Sequence, residues 1–148
     1  MILFVCTGNT CRSPMAKAIL EHNLKTKGVN MPVLSRGVFA TESAPTQGAI
    51  SALATMGLEL NGHVPTTITT EDVLNASLVL TMSWAHKNLV ANLIGTTENI
   101  YTFYEYINGA QQDITDPYGG SIEIYLQTAK EISKLVEELT HKLTEEEV

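Results

Sequence analysis

Cysteine and arginine are sparse in this chain of 148 residues: two of each occur, Cys6 and Cys11, Arg12 and Arg36. Two cysteines are too few for a disulfide framework, and a Cys-x4-Cys pair without nearby histidines is a poor zinc pattern. His22, His63, His86 and His141 follow no ligand spacing, so no metal is expected and the four histidines are assigned to surface or loop roles. A reducing, cytoplasmic setting follows, which also suits a reactive thiol. The shortage of arginine and a net charge of −7 argue against a nucleic-acid surface. No apolar run approaches the roughly 20 residues of a membrane span. The first such run is five residues long with no basic segment before it, so neither a membrane anchor nor a secretory leader is expected. Neither a Gly-x4-Gly-Lys nor a Gly-x-Gly-x-x-Gly loop occurs, and no cofactor is expected.

What remains is an ordinary soluble composition, 44% hydrophobic and 17% charged, long enough for one domain over residues 1–148 with a proper core. The chain is organised around its beginning. Met1 to Val5 reads as a short buried strand that stops at polar residues. From Pro14 the sequence turns helix-forming, and proline fits a first helical turn, where a missing N–H costs nothing. The loop between them ends on a helix N-terminus, which makes an anion cradle of inward N–H groups and a positive dipole end. Gly8 is taken to supply the backbone freedom for the wrap.

Within that loop, Cys6-Thr7-Gly8-Asn9-Thr10-Cys11-Arg12-Ser13, the residue types become chemical. Cys6 at the strand end faces the amides, surroundings that can lower a thiol from about 8.5 to roughly 3.5–7.5. Arg12 offers a planar fork for two phosphate oxygens. Ser13 is placed to donate to the Cys6 sulfur, and Asn9 to hold the loop. A nucleophile, an oxyanion clamp and a ring of donors are the parts of phosphoryl transfer through a covalent cysteine. The bland alternative is a buried structural cysteine beside a surface arginine.

The stretch from Val5 to Pro14 closely resembles the catalytic loop of the low-molecular-weight protein tyrosine phosphatases, and Asp116-Pro117-Tyr118 matches their general-acid loop. Their separation and the chain length fit as well. The wording of the loop, with Asp116-Pro117-Tyr118-Gly119-Gly120 later on, looks most like the bacterial protein-arginine phosphatases of that family. The resemblance implies Cys6 as nucleophile, Arg12 as phosphate clamp, Asp116 as acid, and Asn9 and Ser13 in support, with phosphorylated proteins as substrates. Thr7, Gly8, Thr10 and Cys11 complete the substrate-binding loop. Thr10 stands where the family's tyrosine enzymes usually carry an apolar residue, and a hydroxyl there suits a polar guanidinium leaving group. Phe39 and Tyr118 are candidate pocket walls, and Trp84 a packing or surface residue. Cys6 and Cys11, close in any compact loop, are a candidate reversible disulfide.

Along the chain, helices are expected from Met15 to about Thr26, Pro45 to about Met56, a short one after the N-cap Thr69, Trp84 to about Ile94 behind Ser83, and Ser121 to about Leu143. Strands are expected at Met31–Ser35, Leu78–Met82 and Asn99–Thr102, with residues 58–68 and 103–115 irregular. Glu145 to Glu147 reads as a frayed, solvated tail. Alternating strands and helices argue for an α/β protein with a parallel sheet covered on both faces and the first strand central. The resemblance implies a four-stranded, three-layer α/β/α, flavodoxin-like form. Monomer is the expectation, because no exposed apolar stripe is evident.

Phosphotyrosine remains the alternative substrate to phosphoarginine. An arsenate reductase would need resolving cysteines after Cys11, and there are none. A phosphocysteine carrier would not need Arg12 or Asp116, and a non-catalytic phosphate-binding module would not need the thiol.

Overall fold

Five consecutive buried residues, Ile2–Cys6, form strand β1, and its alternation supplies both halves of the core. The computed structural model describes residues 1–60 and 62–145. Ile2, Phe4 and Cys6 point to one face of the sheet, where they pack on Met15 and Leu20 of helix α1 (Arg12–Thr26) and on Ile132 and Val136 of helix α6 (Ile122–Glu145). Leu3 and Val5 point to the other, against Val73 of α3 (Thr70–Asn75) and Val90 of α4 (Trp84–Ile94). A strand covered on both sides reads as an unbroken apolar run, which is what the first residues of the chain are.

The sheet has four strands in the order β2-β1-β3-β4, with β2 at Val33–Gly37, β3 at Leu78–Thr81 and β4 at Ile100–Thr102. Every pairing is parallel. Helix α2 (Gln47–Ala54) packs on α6, on the same side as α1. The result is a three-layer α/β/α, flavodoxin-like fold. The chain leaves β1 for β2 on one side and later returns to β3 on the other, so the carboxyl end of β1 lies at the switch point where open α/β sheets bind ligands. Cys6 is the last residue of that strand.

Several boundaries moved, each for a physical reason. Helix α1 begins at Arg12, three residues before the expected Met15, and Pro14 still falls in the first turn, where N–H groups lack intrahelical partners. Strand β2 runs two residues later than expected, because it follows β1 in register from Ile2↔Val33 to Cys6↔Gly37. Residues 103–115, expected to be loop, contain helix α5 (Phe103–Asn108). Thr102 and Glu105 form a reciprocal capping box at its start, and Gly109 ends it at φ 74°. Too short for a periodic signal, α5 buries Phe103 and Ile107, with Phe103 5.4 Å from the Phe4 ring. Of the acidic end, Glu145 closes α6, while Glu146 and Glu147 lie outside the described residues.

One glycine sets how closely β2 approaches the loop after β1. A Cβ on Gly37 would lie 2.6 Å from the Thr7 carbonyl oxygen and 2.9 Å from the Asn9 nitrogen. Both are backbone atoms, so no rotamer change relieves the clash. Gly37→Ala is therefore expected to cost about 1–3 kcal/mol, the range for overpacking, read as a lower urea midpoint at unchanged slope. An unchanged midpoint would mean that the loop yields freely.

Candidate active site

The loop from Thr7 to Cys11 joins β1 to α1, and α1 starts without a side-chain cap. Thr46, Thr69, Ser83 and Thr102 each cap the helix that follows them. At α1 the first-turn N–H groups are left to the loop interior, where an anion would meet them. The left-handed residue of the wrap is Asn9, at φ 59°, and not Gly8 as the sequence suggested. A Cβ on Gly8 would touch only the Thr10 side chain, at 3.7 Å. Asparagine tolerates this region because its side chain bonds locally.

Asn9 is fully buried and every polar atom of its side chain is used. Its Nδ2 donates to Ser13 Oγ at 2.8 Å and to Ser35 Oγ at 3.0 Å, and its Oδ1 accepts from the Thr66 N–H at 3.0 Å. The Asn9 carbonyl accepts from His63 Nε2 at 2.8 Å. Ser13 Oγ, which receives Asn9, lies 2.8 Å from Cys6 Sγ and 3.4 Å from the Arg36 carbonyl oxygen, so the sulfur is the nearer of its two remaining partners. Asn9 and Ser13 therefore stand beneath the loop as supports and do not line the cavity above it.

That cavity, about 270 Å³, has Cys6 and Arg12 among its lining residues together with Thr7, Gly8, Thr10 and Cys11. Phe39 and Tyr118, both largely exposed, line it too, as does Asp116. Thr41 and Glu42 also line it, and nothing in their sequence context marks them. Cys6 is only 3% exposed, yet it borders the cavity and is not sealed in the core. A larger cavity of about 680 Å³ lies along α6 near Tyr104, Lys130 and Lys134, with no thiol and no amide cradle.

Arg12 is buried at 5% exposure, and a buried guanidinium demands partners. Its Nη1 donates to the Ile114 carbonyl at 2.7 Å, which fixes the plane. Its Nη2 lies 3.5 Å from Asp116 Oδ2 and 3.5 Å from Thr7 Oγ1. Arginine has five donors in a fork, and these partners leave capacity for an oxyanion. The Asp116 side chain is half exposed, and its Oδ1 accepts the Tyr118 N–H at 3.1 Å, which aims the carboxylate toward the cavity.

Burial pushes the Cys6 thiol up from its ordinary value of 9.0, against the Ser13 hydroxyl and N–H, the Arg12 charge and the Asn9 N–H, which all favour the thiolate. A lowered titration was expected from the loop, and here desolvation outweighs the donors. Of the histidines, His22 and His141 are exposed and His63 lies in a loop as expected, while His86, buried within α4, does not. His63 braces Asn9, and burial lowers its titration. His86 is buried, bonds Thr7 Oγ1 through Nε2 at 2.8 Å, and is lowered to about 4, mainly by burial and then by the Arg12 charge. Neither could be read from ligand spacing, since each acts through one hydrogen bond across the fold.

A thiol at the carboxyl end of a central parallel strand, under a helix N-terminus and beside a buried arginine, defines a cysteine-dependent phosphatase. The model of the family described as low molecular weight phosphotyrosine protein phosphatase matches residues 1–148. The chain is 42% identical over 144 residues to the protein-arginine-phosphatase of Bacillus subtilis, covering 96% of this chain and 95% of that protein. It is 37% identical over 147 residues to the low molecular weight protein-tyrosine-phosphatase PtpB of Staphylococcus epidermidis, covering 95% and 97%. The solved structure of a cysteine-to-serine mutant of the YwlE arginine phosphatase, with its active-site serine phosphorylated, superposes at a TM-score of 0.93, with 41% identity over 97% of this chain and 95% of that one. The chain belongs to the low molecular weight phosphotyrosine protein phosphatase family.

The Ser13 hydroxyl is the strongest of the contacts that favour the Cys6 thiolate. Ser13→Ala is expected to raise the thiol's titration further, because a hydrogen bond to a charged group contributes about 1.5–3 kcal/mol. Iodoacetamide should then inactivate the variant roughly tenfold more slowly at pH 7. Equal rates from pH 5 to pH 9 would contradict the role given to Ser13.

Proposed function

We propose that this chain, as a single phosphatase domain over residues 1–148, hydrolyses phosphoarginine in proteins through a phosphocysteine intermediate. Cys6 gives up its proton to solvent and attacks phosphorus as the thiolate, while the loop N–H groups and Arg12 hold the three equatorial oxygens. Asp116 protonates the departing guanidino nitrogen, and then takes a proton from the water that attacks phosphocysteine, releasing phosphate and the free thiolate. Pro117 restricts the backbone beside Asp116. Deep burial of the thiol does not stop this sequence, because Arg12 and the cradle donors stabilise negative charge as it passes from sulfur to phosphoryl oxygens.

The observation that carries the arginine preference is the composition of the cavity wall. Asp116 and Glu42 supply carboxylates, and Phe39 and Tyr118 supply aromatic faces. Carboxylates and rings together suit a planar, cation-forming guanidino group. A phenol leaving group has no use for the second carboxylate. Thr10, whose hydroxyl lies 3.4 Å from Cys11 Sγ, keeps the loop floor polar on that side. The names of the similar proteins include both arginine and tyrosine phosphatases, so the preference rests on the wall.

Both cysteines are free thiols. We further propose that a peroxide oxidises Cys6 to the sulfenic acid, which the Cys11 thiol condenses with, forming the disulfide and releasing water. A thiol that works by being reduced fits a reducing cytoplasm, and the chain is taken as a monomer. Among the described residues no helix is long and apolar enough to cross a membrane.

Peptides carrying phosphoarginine or phosphotyrosine, offered to the wild type and to Thr10→Ile, test the assignment. The wild type should prefer phosphoarginine by kcat/KM, and Thr10→Ile should move the ratio toward phosphotyrosine by about tenfold, the effect of roughly 1.4 kcal/mol. Cys6→Ser should lose about a thousandfold or more in turnover while still binding phosphate. The same ratio in both proteins removes the arginine assignment, and retained turnover in Cys6→Ser removes the covalent mechanism.

A further inference from the structure

One polar chain ends at the cradle without a part in the steps above. Ser83 caps α4 and its Oγ accepts the His86 backbone N–H at 3.2 Å. The same Oγ lies 2.9 Å from His86 Nδ1. His86 Nε2 lies 2.8 Å from Thr7 Oγ1. Thr7 Oγ1 also receives Arg12 Nη2 at 3.5 Å, and Thr7 is an exposed residue of the cavity lining.

Donor accounting gives this chain a direction. Ser83 Oγ already accepts one N–H, and the Ser83 hydroxyl proton has His86 Nδ1 as its one side-chain acceptor among the described residues. Nδ1 is then the acceptor nitrogen, so a neutral imidazole carries its proton on Nε2 and donates it to Thr7. With His86 and Arg12 both donating to it, Thr7 Oγ1 has its lone pairs filled. Among the described residues no other acceptor meets its own proton, which is left to enter the cavity. In the opposite tautomer the Ser83 proton would have no acceptor among the described residues, and Thr7 would spend its proton on His86 and turn a lone pair toward the incoming oxyanion. Burial and the nearby Arg12 charge keep the imidazole neutral at pH 7.

We propose that Ser83 and His86 are positioning residues that lock the Nε2–H tautomer of His86 and so aim the Thr7 hydroxyl into the cradle as a further donor to the bound phosphoryl group. The relay rests on the reading of the cradle as a phosphoryl site. It adds to the loop amides and Arg12 a side-chain donor whose direction is set from a helix on the far face of the sheet.

The ring nitrogens of His86 in the wild-type protein report the tautomer directly by 15N–1H correlation at pH 7. Nε2–H is expected, and Nδ1–H overturns the proposal whatever the variants do. Affinity for inorganic phosphate, measured by calorimetry, and kcat on the phosphoarginine peptide are then compared for Thr7→Val, His86→Phe, His86→Gln and the Thr7→Val/His86→Phe double variant. The first two should each weaken phosphate binding and lower kcat by roughly tenfold to a hundredfold, at or below the loss of a direct oxyanion donor. The double variant should be no worse than Thr7→Val alone, because the two residues act as one unit. His86→Gln keeps an N–H₂ donor near the Nε2 position and should recover most of the loss, which a packing role would not predict. Additive losses, or no rescue by glutamine, overturn the relay. Calorimetry needs no turnover, so a wild type that binds phosphate but hydrolyses neither peptide counts against the hydrolase reading, while the variant series still decides the relay.

Discussion

The structure depends most on the side chain of Asn9, a buried amide that ties three separate parts of the chain to one loop. Through Ser13 it reaches the first turn of α1, through Ser35 the strand β2, and through the Thr66 N–H the segment that follows α2. Its left-handed backbone makes the reversal that turns successive loop N–H groups inward. A buried amide left partly unsatisfied costs about 1–3 kcal/mol per group, so any displacement of these three parts is opposed at once. These bonds hold the cradle in one shape, as electrostatic stabilisation of a transition state requires.

That rigidity is set against the chemistry of the thiol. Burying Cys6 at the end of β1 disfavours its charge, while Ser13, Arg12 and the loop N–H groups favour it. The same burial strengthens every donor in the cradle, because the local dielectric is low. The donors that oppose the burial penalty at the sulfur are the same ones placed to meet phosphoryl oxygens.

Much of this was legible along the chain. The apolar run of β1, the spacing from Cys6 to Arg12 and the proline that follows Ser13 are local signals, and they locate loop and helix to within a few residues. The caps Thr69 and Ser83 were readable for the same reason. Helix α5 was not, since six residues carry too few apolar positions to show a period, and its evident marks are the capping box and Gly109. Gly8 was misjudged because glycine is the usual left-handed residue, whereas here a tertiary network satisfies Asn9 in that conformation. His86 was misjudged because its partner Thr7 lies 79 residues away.

The order of residues alone determined that a thiol, an arginine and a helix start would meet in one loop at the end of a buried strand. Those features lie within nine residues, Cys6 to Pro14, and need only backbone geometry to come together. Tertiary structure alone decided which groups stand above and below that loop. Ile114 and Glu42 reach Arg12 or its cavity beside the Asp116 already expected there, and His63, His86 and Ser35 brace the floor. Each of these contacts joins segments whose proximity exists only after the sheet is ordered and both its faces are covered. Hydrogen-bond direction and burial, the quantities that tune the thiol, are properties of that packing and have no counterpart in a linear string.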